Sequence, residues 1–97
     1  MNVSVFGSGA WGTAIALLVR GNGHGVTLWS KFPEEAEHLR LYRENPLLSG
    51  VEIPGDIAIT DDVDMAVKGA EAAIIAVPSF AVRETAQMLY GRLSENC

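Results

Sequence analysis

A chain of 97 residues, 48% hydrophobic and 20% charged, has the composition of a globular domain and lies outside disordered, collagen-like and low-complexity classes. Twelve acidic against seven basic side chains leave a net charge of −5, and without a run of Lys or Arg the chain offers nucleic-acid phosphates no basic field, so nucleic acid is excluded as a partner. The single cysteine, Cys97, has no partner for a disulfide, no export signal opens the chain, and no apolar run reaches the roughly 18 residues of a membrane span, which together point to the reducing cytoplasm.

Val3 to Phe6 is a short apolar run that breaks into Gly7-Ser8-Gly9, the pattern of a buried strand entering a tight turn. From Ala10 onward Trp11, Ala14, Ile15, Leu18 and Val19 recur at helical spacing and mark the inward face of a first helix, which Asn22-Gly23 stops. Val26 to Trp29 is a second β-rich run. Pro33, followed by Glu34 and Glu35, opens a polar helix with acids at the positive end of its dipole. Its narrow apolar stripe of Ala36, Leu39 and Tyr42 sets it on the outside of the fold, Asn45-Pro46 ends it, and Leu47 to Gly55 is loop.

Ile57 to Thr60 is a third strand, and Asp61-Asp62 supplies the cap of a brief helix ending near Gly69. Ala72 to Val77 is apolar without alternation, as a strand buried on both faces would be. Pro78-Ser79 terminates it, and Ser79 is expected to cap a final helix running to about Tyr90.

Gly7-Ser8-Gly9-Ala10-Trp11-Gly12 matches G-x-G-x-x-G, a weak pattern alone. Here it follows a strand, opens an amphipathic helix and lies inside a strand-helix-strand unit, which is the context that gives it meaning. Gly7 then permits the tight turn, Gly9 lets the backbone approach a pyrophosphate, Gly12 lets the helix pack closely, and the helix N-terminus offers free N–H groups to phosphate oxygens. No Gly-Lys-Ser or Gly-Lys-Thr follows, which excludes a P-loop. The alternation of strands and helices implies a parallel sheet, so the expected fold is α/β: a Rossmann-type doubly wound parallel sheet, truncated after the fourth strand-helix unit. On this reading residues 1–97 are the N-terminal portion of an NAD(P)-binding domain. A strand as apolar as residues 72–77 would otherwise expect a further neighbour, and the substrate domain is absent.

NAD-selective sites of this kind carry Asp or Glu at the end of the second strand, to hold the adenosine ribose hydroxyls. Here that end reads Leu28-Trp29-Ser30-Lys31. Without the acid nothing repels a 2′-phosphate, and Lys31 with Ser30 can bind one, so NADP is expected as well as NAD; the plain alternative is that Lys31 is a solvated surface lysine. Pro78 and Phe80 follow the fourth strand, beside the point where such sheets bind ligands. They are expected to line the path to the nicotinamide, or else to serve as a strand stop and a core aromatic. His24 and His38 have no metal-like spacing and read as surface residues, and Asp61, Asp62 and Asp64 read as helix capping, so no metal is expected.

The turn Gly7-Ser8-Gly9-Ala10-Trp11-Gly12-Thr13-Ala14, the Gly23-His24 to Leu28-Trp29 strand, the Asn45 to Pro54 loop and Val77-Pro78-Ser79 with Arg83 together resemble the NAD(P)-dependent glycerol-3-phosphate dehydrogenases of the bacterial type. The resemblance implies hydride transfer between a nicotinamide cofactor and the glycerol 3-phosphate/dihydroxyacetone phosphate pair, supplying phospholipid synthesis. It implies cofactor contacts at Ala10 and Trp11, a basic residue at Lys31 near the adenosine, and a small phosphorylated substrate. The family's Tyr-Leu-Pro-Gly loop is replaced here by Leu47-Leu48-Ser49-Gly50. Its Lys-Gly motif, catalytic lysine and helical substrate domain would all follow Cys97, so this chain alone is expected to bind cofactor and to catalyse nothing; a homodimer is compatible with the reading. The rival readings are the cofactor domain of a 6-phosphogluconate or ketopantoate reductase type enzyme, and a non-catalytic NADP(H)-binding module.

Overall fold

A computed structural model describes residues 1–48 and 50–93; Ser49 and Cys97, both named above, lie outside the described residues. The elements alternate: β1 (Asn2–Phe6), α1 (Ala10–Gly21), β2 (Gly25–Trp29), α2 (Pro33–Tyr42), β3 (Ala58–Thr60), α3 (Val63–Val67), β4 (Ala72–Ile75) and α4 (Ser79–Leu89). The strands form one parallel sheet in the order β3-β2-β1-β4, with Val5 of β1 registered between Leu28 and Ile74. Each crossover is helical, as parallel neighbours require.

Successive residues of the central strands serve opposite faces. Val5 and Leu28 join Ala16 of α1 and Ala36 and Leu39 of α2 in one cluster, while Phe6 and Trp29 join Ala66 and Val67 of α3 and Leu89 of α4 in the other. Both central strands are therefore covered on both faces, and their apolar residues serve both. Ser4, the polar residue within β1, is buried but satisfied, its hydroxyl donating to the Ala66 carbonyl.

Six expectations are corrected. In α1 the buried residues are Gly12, Thr13 and Ala16, whereas Trp11 and Leu18 are 74% and 68% exposed, Ala14 is exposed, and Ile15 and Val19 only flank the core. Small side chains face the sheet because they let the helix axis close on it, so counting from the largest apolar residues rotated the face. In α2, Ala36 and Leu39 are buried but Tyr42 is 67% exposed and packs on His38, with ring centroids 4.7 Å apart. That helix ends before Asn45-Pro46, at Arg43, which adopts a left-handed φ of 51°. The roughly 1–2 kcal/mol this costs a non-glycine residue is offset by guanidinium hydrogen bonds from Arg43 Nη1 to the Ile57 and Pro54 carbonyls, at 2.6 and 3.3 Å.

At α4 the cap position is Pro78 and Ser79 is already helical, with no side-chain cap bond; the extended proline (φ −55°, ψ 150°) makes the break. β4 stops at Ile75 and is not buried on both faces, Ala72 to Ile74 being half-buried and Ile75 exposed, since among the described residues only β1 pairs with it. Asp62 does cap α3, accepting from the N–H groups of Asp64 and Met65. Of the two histidines, His38 is exposed, but His24 is half-buried with an unpartnered Nδ1. Among the described residues no helix is long and apolar enough to cross a membrane.

Arg20 of α1 reaches the α2–β3 connection, donating from Nε and Nη2 to the two oxygens of Asp56 at 3.0 and 3.2 Å. The guanidinium hydrogen bond holds the Asp56 carboxyl below the usual carboxylate range. A lowered folded pKa stabilises above the unfolded carboxylate pKa and is lost as pH falls through the folded value. Asp56→Asn should therefore lower the urea midpoint slightly at pH 7, and the gap to the parent chain should close below the folded pKa of Asp56. A gap that persists or widens in acid would contradict this linkage.

Candidate functional site

The carboxyl ends of β1, β2 and β4 open into one cavity of about 1070 Å³, large enough for a cofactor-sized ligand. Its floor is the glycine turn between β1 and α1. Gly7 has φ +130°, a Cβ on it would stand 2.2 Å from the Ala76 carbonyl oxygen, and its N–H donates to the Trp29 carbonyl. This glycine is where three strand ends converge. A Cβ on Gly12 would stand 1.8 Å from the Gly7 carbonyl oxygen, so the close approach at Gly12 is to the turn itself rather than to strand side chains. Gly9 differs from both: its backbone (φ −67°, ψ −172°) suits any residue, and a Cβ there would meet nothing within 4 Å.

Gly9 is the N-cap of α1 and offers no side chain, and no acid lies in that helix's first turn. The first N–H groups of α1 therefore keep their hydrogen-bonding capacity and partial positive charge facing the cavity. This is the arrangement an anionic ligand requires. A side chain at Gly9 would occupy the space directly in front of it.

Gly7, Ser8, Gly9, Ala10, Trp11, Ser30, Lys31, Pro78 and Phe80 all line the cavity; Gly12, named with them from the motif, is buried beneath it and does not. Phe80 is 87% exposed, which removes the core alternative for it. Trp11, Phe32 and Leu47 are likewise exposed around the cavity, giving flat apolar surface on which rings can stack. Ser30 is buried, its hydroxyl exchanging hydrogen bonds with the backbone of Phe32 to close the turn after β2. Lys31 is ion-paired with Glu84 of α4 at 2.9 Å, both side chains more than half exposed.

Among the lining residues not named as site residues from the sequence, two hold the glycine turn through their side chains. Glu35, read there as a dipole-compensating acid, accepts the Ser8 hydroxyl hydrogen bond. Asn45, read as a helix end, is buried under the glycine turn: its Nδ2 donates to the Ser8 carbonyl (2.9 Å) and to Thr13 Oγ1 (2.8 Å), and its Oδ1 accepts from Leu47 N–H (2.9 Å). The one signal available for Asn45 was its place in the loop that carried the family resemblance. Asn45→Ala removes three hydrogen bonds at a buried position and leaves the Ser8 carbonyl only its contact with the Thr13 hydroxyl, so it should cost roughly 1–3 kcal/mol. Released from below, the turn should also lose at least severalfold in dinucleotide affinity; urea unfolding and a nucleotide titration check the two effects, and an unchanged titration would deny Asn45 a positioning role.

Among the described residues no group of three or more His, Cys, Asp or Glu side chains stands close enough to hold a metal ion.

Residues 2–97 match the family model described as NAD-dependent glycerol-3-phosphate dehydrogenase N-terminus. A glycerol-3-phosphate dehydrogenase [NAD(P)+] of Fusobacterium nucleatum is 39% identical over 97 residues, an alignment covering 99% of this chain and 29% of that protein. One of the same name from Chlorobium phaeobacteroides is 48% identical over 86 residues, covering 88% and 26%. The crystal structure of glycerol-3-phosphate dehydrogenase from Coxiella burnetii superposes with a TM-score of 0.90 at 26% identity, covering 98% of this chain and 30% of that one. The chain thus spans under a third of the length of these relatives.

Proposed function

This chain belongs to the NAD-dependent glycerol-3-phosphate dehydrogenase N-terminus family, and on that premise we propose that its cavity is the NAD(P)(H) site of an oxidoreductase interconverting sn-glycerol 3-phosphate and dihydroxyacetone phosphate. The observation that carries this reading is the open space at Gly9, before an uncapped helix N-terminus, on a turn whose other two glycines are demanded by the fold. A glycine that the backbone does not need is explained by a ligand that does.

The residues fit the group in three ways. The N–H groups of Ala10, Trp11 and Gly12 at the start of α1 receive the pyrophosphate over Gly9. Ser30, Lys31 and Phe32, after β2, border the adenosine, with Lys31 the cation available to a 2′-phosphate. Pro78 and Phe80, after β4, border the nicotinamide and with Trp11 exclude water from that end. The nicotinamide, when bound, supplies the hydride chemistry. The chain's own residues bind and orient it; none of them is assigned the hydroxyl proton, and the small phosphorylated substrate is held by parts of the enzyme outside this chain. The reaction serves glycerophospholipid synthesis in the cytoplasm.

Trp11 and Trp29 both line the cavity, so intrinsic fluorescence reports its occupancy. Saturable quenching by NADH or NADPH, displaced by the non-fluorescent oxidised cofactor, is expected. A folded chain whose tryptophans respond to neither nucleotide would sink the proposal.

A further inference from the structure

Two carboxylates line the cavity beside Lys31, and they are held in different ways. Glu84 is engaged only by Lys31, in an exposed pair. Such pairs are weak and screened by salt, so a phosphate can draw Lys31 away at little cost. Glu35 is half-buried on the first turn of α2 and is tied by the Ser8 hydroxyl to the glycine turn itself. Its position is set by the fold rather than by a flexible side chain.

The end of β2 lacks the acid that would hold ribose hydroxyls. The first turn of α2 nevertheless starts at the same carboxyl edge of the sheet, because α2 follows β2 after a short turn closed by Ser30 and Phe32. Glu35 brings a carboxylate to that edge from the helix instead of from the strand. Ser8 engages Oε1, which leaves Oε2 for a ligand hydroxyl.

We propose that Glu35 is the specificity-determining residue of the adenosine end: its carboxylate accepts from the ribose 2′-hydroxyl of NAD(H) and repels the 2′-phosphate of NADP(H). This rests on the reading of the cavity as a dinucleotide site. Cofactor choice is then a balance between a carboxylate set by the fold, Glu35, and an exposed cation of opposite sign, Lys31, and Lys31 alone does not set it. Lys31 is exposed and its charge is screened by solvent, while Glu35 is half-buried, held by Ser8 and without a cationic partner among the described residues, so Glu35 dominates.

The test is the ratio of NADPH to NADH affinity, from fluorescence titrations of the full chain, Glu35→Gln, Lys31→Gln and Glu84→Gln. Glu35→Gln keeps the side-chain shape and a carbonyl acceptor for Ser8, and should raise the ratio at least tenfold, chiefly by tightening NADPH. Lys31→Gln should lower the ratio, and Glu84→Gln should move it less than threefold. A ratio that stays within threefold in Glu35→Gln, with both nucleotides still bound, overturns the role of Glu35 and leaves the cofactor site standing. Failure of the unsubstituted chain to bind either nucleotide overturns the cofactor reading and this inference together.

Discussion

Gly12→Ala, the addition of one methyl group, should cost the chain a large share of its stability. Helix propensity alone argues the other way, since alanine inside a helix is favoured over glycine by about 1 kcal/mol. The added Cβ, however, would stand 1.8 Å from the Gly7 carbonyl oxygen and 2.6 Å from its carbon. Neither atom belongs to a side chain that can rotate away. Gly7 is itself locked, its N–H bonded to the Trp29 carbonyl and its backbone so close to Ala76 that not even a Cβ fits, so relief requires moving α1 off the sheet. Overpacking of this kind costs 1–3 kcal/mol even where side chains can yield. Here roughly 3 kcal/mol or more is expected, a large share of the 5–15 kcal/mol that stabilises a domain. Circular dichroism with urea titration measures it, and a native-like midpoint would show that the turn is looser than described.

Gly9→Val should do the opposite, leaving the fold intact and removing nucleotide binding. The extended backbone at Gly9 accepts a β-branched residue, and a Cβ there has no protein atom within 4 Å. Valine is a poorer N-cap than glycine, so a stability loss of up to about 1 kcal/mol is expected. Its methyl groups would fill the space in front of the first N–H groups of α1. Affinity for NADH and NADPH should fall at least 100-fold, equivalent to about 2.7 kcal/mol. The two substitutions together separate the glycine of the fold from the glycine of the ligand. Equal loss of stability in both would erase that distinction.

The alternation of elements was readable because it rests on local signals. Apolar runs four to six residues long between helix-period segments, Pro33 at a helix start, Asp62 as a cap and Asn22-Gly23 as a stop each act within a few residues of themselves. The glycine turn was readable for the same reason. What periodicity could not supply was which face of α1 closes on the sheet, because Gly12, Thr13 and Ala16 are selected by the distance between helix and strand rather than by hydrophobicity. The end of α2 was misjudged because Arg43 stops it through carbonyls 11 and 14 residues away.

The second half of the site was hidden for the same physical reason. Ser8 meets Glu35 across 27 residues of sequence and Asn45 across 37, and nothing in either neighbourhood announces the partner. Glu35 satisfies a helix dipole and Asn45 precedes a proline, so each has a sufficient local explanation. Only the return of α2 and its loop over the turn reveals the second role. Lys31 illustrates the same limit: it lines the cavity after β2, but its pairing with Glu84 depends on α4, 53 residues on.

The measurement that bears most directly on the central claim is the map of backbone amide shifts in a 15N-labelled sample as NADH is added. Perturbation should concentrate at Gly7 to Gly12, at Lys31 to Glu35 and at Ala76 to Phe80, while Asn22 to Gly25, at the opposite end of the sheet, stay still. Saturable shifts confined to the second set, or scattered without relation to the glycine turn, would contradict a dinucleotide site at the carboxyl ends of β1, β2 and β4.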